Sequence, residues 1–275
     1  MSFSSQLKAE LCRTSIGERS CAVAEGCGVL LYCNAFTAEE IRIVTASPEF
    51  AARLPKLFKR AFAVSFDEVP ESEGGRAVFR ITDPEKLLLV ADACGYDRER
   101  HHAHHVNFGV LDDEGCKQAF FRGALLAGGS VTEPSRSYHL ELVTDHYHVS
   151  REVCAVLQEM GFEPGSANRN GRYITYFKNS EVIEDFLTSI GAPVAAMEIM
   201  NEKISKSMRN SVNRLINCDE ANSDKTVAAA EKQLAAIRTL MDCSVLENLP
   251  EKLQQTDAAP VGNGKALDQQ QLHPV

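Results

Sequence analysis

The 275-residue sequence predicts an α+β fold in which one unit is used twice. Two observations predict it. Residues 75–95, GRAVFRITDPEKLLLVADACG, lie over residues 171–191, GRYITYFKNSEVIEDFLTSIG, without a gap, at an offset of 171 − 75 = 96. Both copies read as a glycine turn, an alternating strand, an Asp or Asn cap, an amphipathic helix and a glycine stop. Upstream, IRIVT and LELVT share Val44-Thr45 and Val143-Thr144 at an offset of 144 − 45 = 99. The second copy should therefore carry about three extra residues in its first hairpin. Each unit is expected to run helix, two strands, helix, one or two strands, helix. A 44% hydrophobic composition at this length supports two modest cores.

Taken in order, SFSSQLKAEL reads as an amphipathic helix capped by Ser4 or Ser5, and its internal charges exclude a secretory signal. No apolar run reaches membrane-span length. The segment CGVLLYCN, residues 27–34, falls over GALLAGGS, residues 123–130, again at an offset of 96. The longer stretch CKQAFFRGALLAGGSVTEP could be taken for a phosphate loop. Such a loop needs Gly-x-x-x-x-Gly-Lys-Ser/Thr after a strand, and here no Lys follows Gly129. Gly123, Ala124, Ala127 and Gly128 instead fall at helical spacings and make a small-residue face. Because Gly costs about 1 kcal/mol against Ala in a helix, such a face wants a packing reason. A Gly-terminated core helix is one explanation. The sharper one is a helix that meets Cys27, Gly28 and Leu31 of its repeat partner on a pseudo-two-fold axis.

Nine cysteines occur without a C-x-x-C pair, and Cys21, Cys27 and Cys33 stand too far apart for a zinc knuckle. Free, mostly buried thiols in a reducing cytoplasm are expected. ARLPKLFKR presents Arg53, Lys56, Lys59 and Arg60, by default a helix surface, with a DNA or partner contact as the minority reading. HHAHH, residues 101–105, has a spacing that can hold zinc or nickel on a helix, against the plainer reading of an exposed His-rich linker. No metal site, cofactor or catalytic residue is expected.

The net charge of −9 argues against coating nucleic acid by bulk charge and leaves room for a local basic surface. KISKSMRNSVNRLIN is such a surface. Lys203, Lys206 and Arg209 fall three apart on a helix, and Asn210, Asn213 and Arg214 share the adjacent face. Arg and Lys meet phosphates, while Arg and Asn also read base edges. A merely solvated helix face is the alternative. NCDEANSDKT, which includes Lys225, then reads as caps and turns before a second helix, VAAAEKQLAAIRTL.

SFSSQLKAEL, FRGALLAGGSVTEPSRSYHLELVT and MRNSVNRLINCDEANSDKT together resemble the WhiA family, bacterial DNA-binding regulators of sporulation and cell division. The resemblance implies a duplicated LAGLIDADG homing-endonuclease-like domain, with halves at 1–112 and 113–196. A helical linker and the start of a helix-turn-helix domain would follow at 197–250. It also implies double-stranded promoter DNA as partner, with Lys203, Lys206, Arg209, Asn210, Asn213, Arg214 and Lys225 as contacts. A second regulator or RNA polymerase is the candidate protein partner, and the location is cytoplasmic, at the nucleoid. LAGLIDADG nucleases hold metal on an acid at the end of each motif helix. Matching the motifs puts Cys33 and Gly129 there, with Glu39 and Glu133 nearby, so no nuclease activity is expected. Residues 251–275 read as a disordered tail that replaces the family's recognition helix. Hence a second reading stands beside the regulator: an interaction scaffold with weak, sequence-indifferent DNA binding.

Overall fold

The computed structural model describes residues 2–70, 75–96 and 103–242. It has two compact units, Met1–Ser207 and Met208–Val275. The first unit contains both repeats.

Helix α1, Phe3–Arg13, starts earlier than expected. Its cap is Ser2, whose hydroxyl accepts from the Ser5 N–H, while Phe3, Leu7 and Leu11 turn inward at helical spacing. The first half then runs α2 (Arg19–Tyr32), β1 (Ala35–Phe36), β2 (Ile41–Thr45), α3 (Pro48–Phe62), β3 (Ala77–Ile81) and α4 (Pro84–Ala93). The second runs α5 (Glu114–Gly128), β4 (Gly129–Val131), β5 (Leu140–Thr144), α6 (Tyr147–Glu159), β6 (Gly165–Arg169), β7 (Arg172–Phe177) and α7 (Ser180–Ser189). The duplicated α+β architecture is therefore present.

The sheets are antiparallel, with orders β1-β2-β3 and β4-β5-β7-β6. Ile41 and Ile43 on β2, and Leu140 and Leu142 on β5, point to the core while their neighbours face outward. Repeat elements have matching caps: Asp83 and Asn179 both accept from the second helical N–H. Gly95 and Gly191, with φ of +69° and +99°, both end those helices in the left-handed region.

Register corrects the sequence alignment by one residue. Ile41 pairs with Phe36 and Leu140 with Val131, so Phe36 corresponds to Val131 at an offset of 131 − 36 = 95. Ile81 pairs with Ile41 and Phe177 with Leu140, which keeps 177 − 81 = 96 for the later strands. The first hairpin of the second half is thus longer by 99 − 95 = 4 residues. Small residues in the motif helices tolerate a one-residue slip in a sequence match; a strand pairing does not.

Two further expectations are revised. Cys27 and Cys94 are joined as a disulfide, because the end of α4 comes to rest on the buried side of α2. The turn expected at residues 217–226 is absent. Helix α8 runs unbroken over Pro193–Asp242, since no Gly or Pro occurs between Pro193 and Asp242 and cap-forming residues cost only tenths of a kcal/mol within a helix. The Thr226 hydroxyl folds back onto the Asn222 carbonyl rather than capping a new helix. The expected tail lies outside the described residues, and among those described no helix is long and apolar enough to cross a membrane.

Candidate nucleic-acid interface

Helices α2 and α5 pack against each other at backbone distance. A Cβ added to Gly28 would collide with the carbonyl of Phe120 and lie 3.0 Å from the Ala124 nitrogen. A Cβ added to Gly123 would collide with the Glu25 carbonyl and lie 3.0 Å from the Val29 nitrogen. The contacts are reciprocal, because 28 − 25 equals 123 − 120, as a two-fold axis requires. Gly28, Gly123 and Ala124 therefore sit at the crossing, and Gly128 lies beside Tyr32 at the helix ends. Leu31 is buried and Ala127 half-buried against the core. Cys27 is also buried, but its sulfur is bonded to Cys94 of its own half.

A buried ionic cluster lies on this pair. Glu25, 1% exposed, takes a bidentate contact from Arg53 at 2.6 and 2.8 Å and a third from Arg122 at 3.3 Å. Arg53 also donates to the carbonyls of Cys12 and Thr14, and Arg122 to that of Ile190. The cluster ties α2, α3 and α5 to the ends of α1 and α7. Arg53 is thus no surface residue: it lies three beyond Phe50 and four before Leu57, on the inward face of α3. Sequence reasoning missed this cluster. Its signal was a charged residue inside the apolar stretch of each motif helix, Glu25 in α2 and Arg122 in α5.

The ends of the motif helices carry no acid. The C-caps are Cys33 and Gly129. The Cys33 sulfur lies 3.1 Å from the carbonyls of Leu30 and Ala35, and burial pushes its thiol up to about 12, so it is neutral at physiological pH. The Lys8 ammonium donates to the Leu126 carbonyl in the last turn of α5, and the Thr144 hydroxyl to the Leu31 carbonyl at the end of α2. Glu39 is exposed, and Glu133 receives the Phe3 N–H at 3.3 Å.

Helix α8 begins on a carboxylate. Glu10 accepts the Val194 and Ala195 N–H groups at 2.7 and 2.9 Å. Two of the sequence-predicted cations hold this first stretch. Lys203 pairs with Glu181 at 2.8 Å, and Lys206 donates to the Pro134 carbonyl while lying 4.5 Å over the Tyr138 ring. Arg209, Asn210, Asn213, Arg214 and Lys225 are all exposed.

The His-rich connection is more structured than an exposed linker. His101 and His102 lie outside the described residues. His104 stacks on Phe36 and Tyr96 and meets His146 edge-on at 4.3 Å. Burial, with His146 adding to it, lowers its imidazole to about 4. His105 hydrogen-bonds Glu152 at 2.7 Å.

Fold and helix pair together define a LAGLIDADG-like duplicated domain carrying a long C-terminal helix. Residues 117–209 match the model of the WhiA LAGLIDADG-like domain, and residues 212–261 match that of the WhiA C-terminal HTH domain. The chain is 32% identical over 265 residues to the probable cell division protein WhiA of Ruminiclostridium cellulolyticum, covering 92% of this chain and 84% of that protein. It is 31% identical to the Staphylococcus aureus protein of the same name, covering 93% and 83%. The full-length DUF199/WhiA structure from Thermatoga maritima superposes with a TM-score of 0.65 at 24% identity, covering 93% of this chain and 84% of that one. The N-terminal LAGLIDADG domain of DUF199/WhiA superposes at 0.55 with 21% identity, covering 69% and 92%. The chain belongs to the WhiA family. The HTH match enters the stretch expected to be tail, and its residues 212–242 form the far part of α8.

Proposed function

We propose that this chain is a sequence-reading DNA-binding transcription regulator, acting in cell division or sporulation at the cytoplasmic nucleoid, and that it binds promoter DNA without cutting it. One observation carries the reading: a LAGLIDADG-like body and an HTH-matching segment occur in one chain. Its curated relatives are named for cell division. Promoter contact is assigned to residues 209–261. Arg209, Arg214 and Lys225 meet phosphates there, and Asn210 and Asn213 lie within reach of base edges. Lys203 and Lys206 serve instead to root α8.

The chemistry at the ends of α2 and α5 supports binding without cleavage. Metal-assisted phosphodiester hydrolysis needs oxygen ligands that hold divalent ions. Those positions carry a neutral thiol and a glycine, and a lysine ammonium occupies the last turn of α5. Incubation of the full chain with supercoiled and linear DNA in magnesium or manganese should retard the DNA in a gel and leave it intact. Reproducible cutting that disappears when Glu39 or Glu133 is changed to Gln would overturn this reading.

A further inference from the structure

The axis that brings Gly28 to α5 also brings together two cysteines that are 116 − 21 = 95 residues apart. Cys21 is the third residue of α2 and Cys116 the third of α5, and their sulfurs lie 3.6 Å apart. Asp113, the N-cap of α5, holds the Cys116 N–H on Oδ1 at 2.7 Å, which leaves Oδ2 for another partner. The two sulfurs and a carboxylate oxygen of Asp113 all lie within 4.8 Å of one another. Tetrahedral zinc, with Zn–S bonds of about 2.3 Å, holds two thiolates roughly 3.8 Å apart. The observed spacing is close to that, whereas a disulfide would need the sulfurs drawn in to about 2.05 Å.

Two glycines, Gly17 and Gly115, flank the cluster. A Cβ on Gly17 would lie 3.7 Å from the Cys21 sulfur, and one on Gly115 would lie 3.8 Å from it and 3.2 Å from Asp113 Oδ1. Asp113 is exposed and Cys21 half-buried, so the cluster is open on one side. Without a cation the three donors oppose one another's charge. A divalent ion reverses that balance, and the two helix N-termini favour thiolates further.

We propose that Cys21, Cys116 and Asp113 form a binding site for a thiophilic divalent cation of the zinc class, its fourth position open to solvent. Binding replaces two S–H bonds by two metal–sulfur bonds and releases two protons, with no change of oxidation state. It clamps the N-terminal ends of α2 and α5, and so locks the first half to the second. The expectation of no metal site rested on spacing along the chain, and these ligands come from different halves.

Cobalt(II) titration of the metal-stripped full chain in a thiol-free reductant tests this. A sulfur-to-cobalt charge-transfer band should appear and be displaced by zinc. C21S should abolish the band, and D113N should weaken zinc binding by at least about tenfold. Should C21S fold poorly, alkylation of the wild-type chain decides: zinc should protect Cys21 and leave exposed Cys218 reactive. A missing band, a band that survives in C21S, zinc protection no greater at Cys21 than at Cys218, or a Cys21–Cys116 disulfide formed with no metal taken up overturns the proposal.

Discussion

Replacing Gly28 by Ala tests the helix crossing most simply. In an open helix this change stabilises by about 1 kcal/mol. Here the new methyl meets the Phe120 carbonyl and the Ala124 nitrogen, which are backbone and cannot rotate away. The helices must separate, at an overpacking cost of about 3 kcal/mol or more. The net loss is about 2 kcal/mol or more. For a body of the size of Met1–Ser207, that lowers the melting midpoint by about 4–8 °C. Gly123→Ala should cost a similar amount, since it strikes the Glu25 carbonyl in the same way. The double variant should cost clearly less than the sum, because helices already pushed apart accommodate the second methyl. Gly26→Ala, whose methyl would meet the Phe62 and Ala61 side chains and no backbone, should cost less than either. Calorimetry or denaturant titration reads all four variants. A Gly28→Ala protein as stable as the parent would refute the close crossing.

Glu25→Gln leaves Arg53 and Arg122 buried without a counter-charge and should destabilise by about 3–5 kcal/mol. Replacing all three residues by apolar ones of similar size should cost less, as chemical denaturation would register; equal losses would contradict the cluster's role. His104 is held near pH 4 in the fold, and an unfolded imidazole titrates near 6.5. Between those values the unfolded chain binds a proton that the folded one does not, so stability should fall as pH drops from about 6.5 to about 4. His104→Phe, which keeps the stacking on Phe36, should flatten that slope, and an unchanged slope would assign the acid sensitivity elsewhere.

The repeat is legible in the sequence because its signals are local. Strand alternation, the caps at Asp83 and Asn179, and the stops at Gly95 and Gly191 each lie within a few residues of the element they shape. Partners that meet only across the axis are not legible. The pairing of Cys21 with Cys116 and the contact of Glu25 with Arg122 join residues from both halves, and an alignment at an offset of 96 does not set Cys21 over Cys116, 95 residues away. Charged neighbours suggest a surface position for Arg53, although its spacing from Phe50 and Leu57 already puts it on the inward face. On α8 the basic run is visible, but its division is not. Lys203 and Lys206 find partners from residues 134–181, far away in sequence, while Arg209 and Arg214 are exposed.

Titration of the full chain against a promoter duplex selected from genomic DNA by binding to the chain, and against the same duplex scrambled, tests the central claim of sequence reading. Two salt concentrations, about 50 and 200 mM, separate phosphate contacts from base contacts. The promoter should bind tighter by about a thousandfold or more, and both duplexes should weaken steeply with salt. Changing Arg209 and Arg214 to Ala should lower the salt slope by about 0.9 for each phosphate no longer neutralised, about 1.8 in all, on both duplexes alike. Equal affinity for promoter and scrambled DNA would contradict sequence reading by this chain and favour an interaction scaffold.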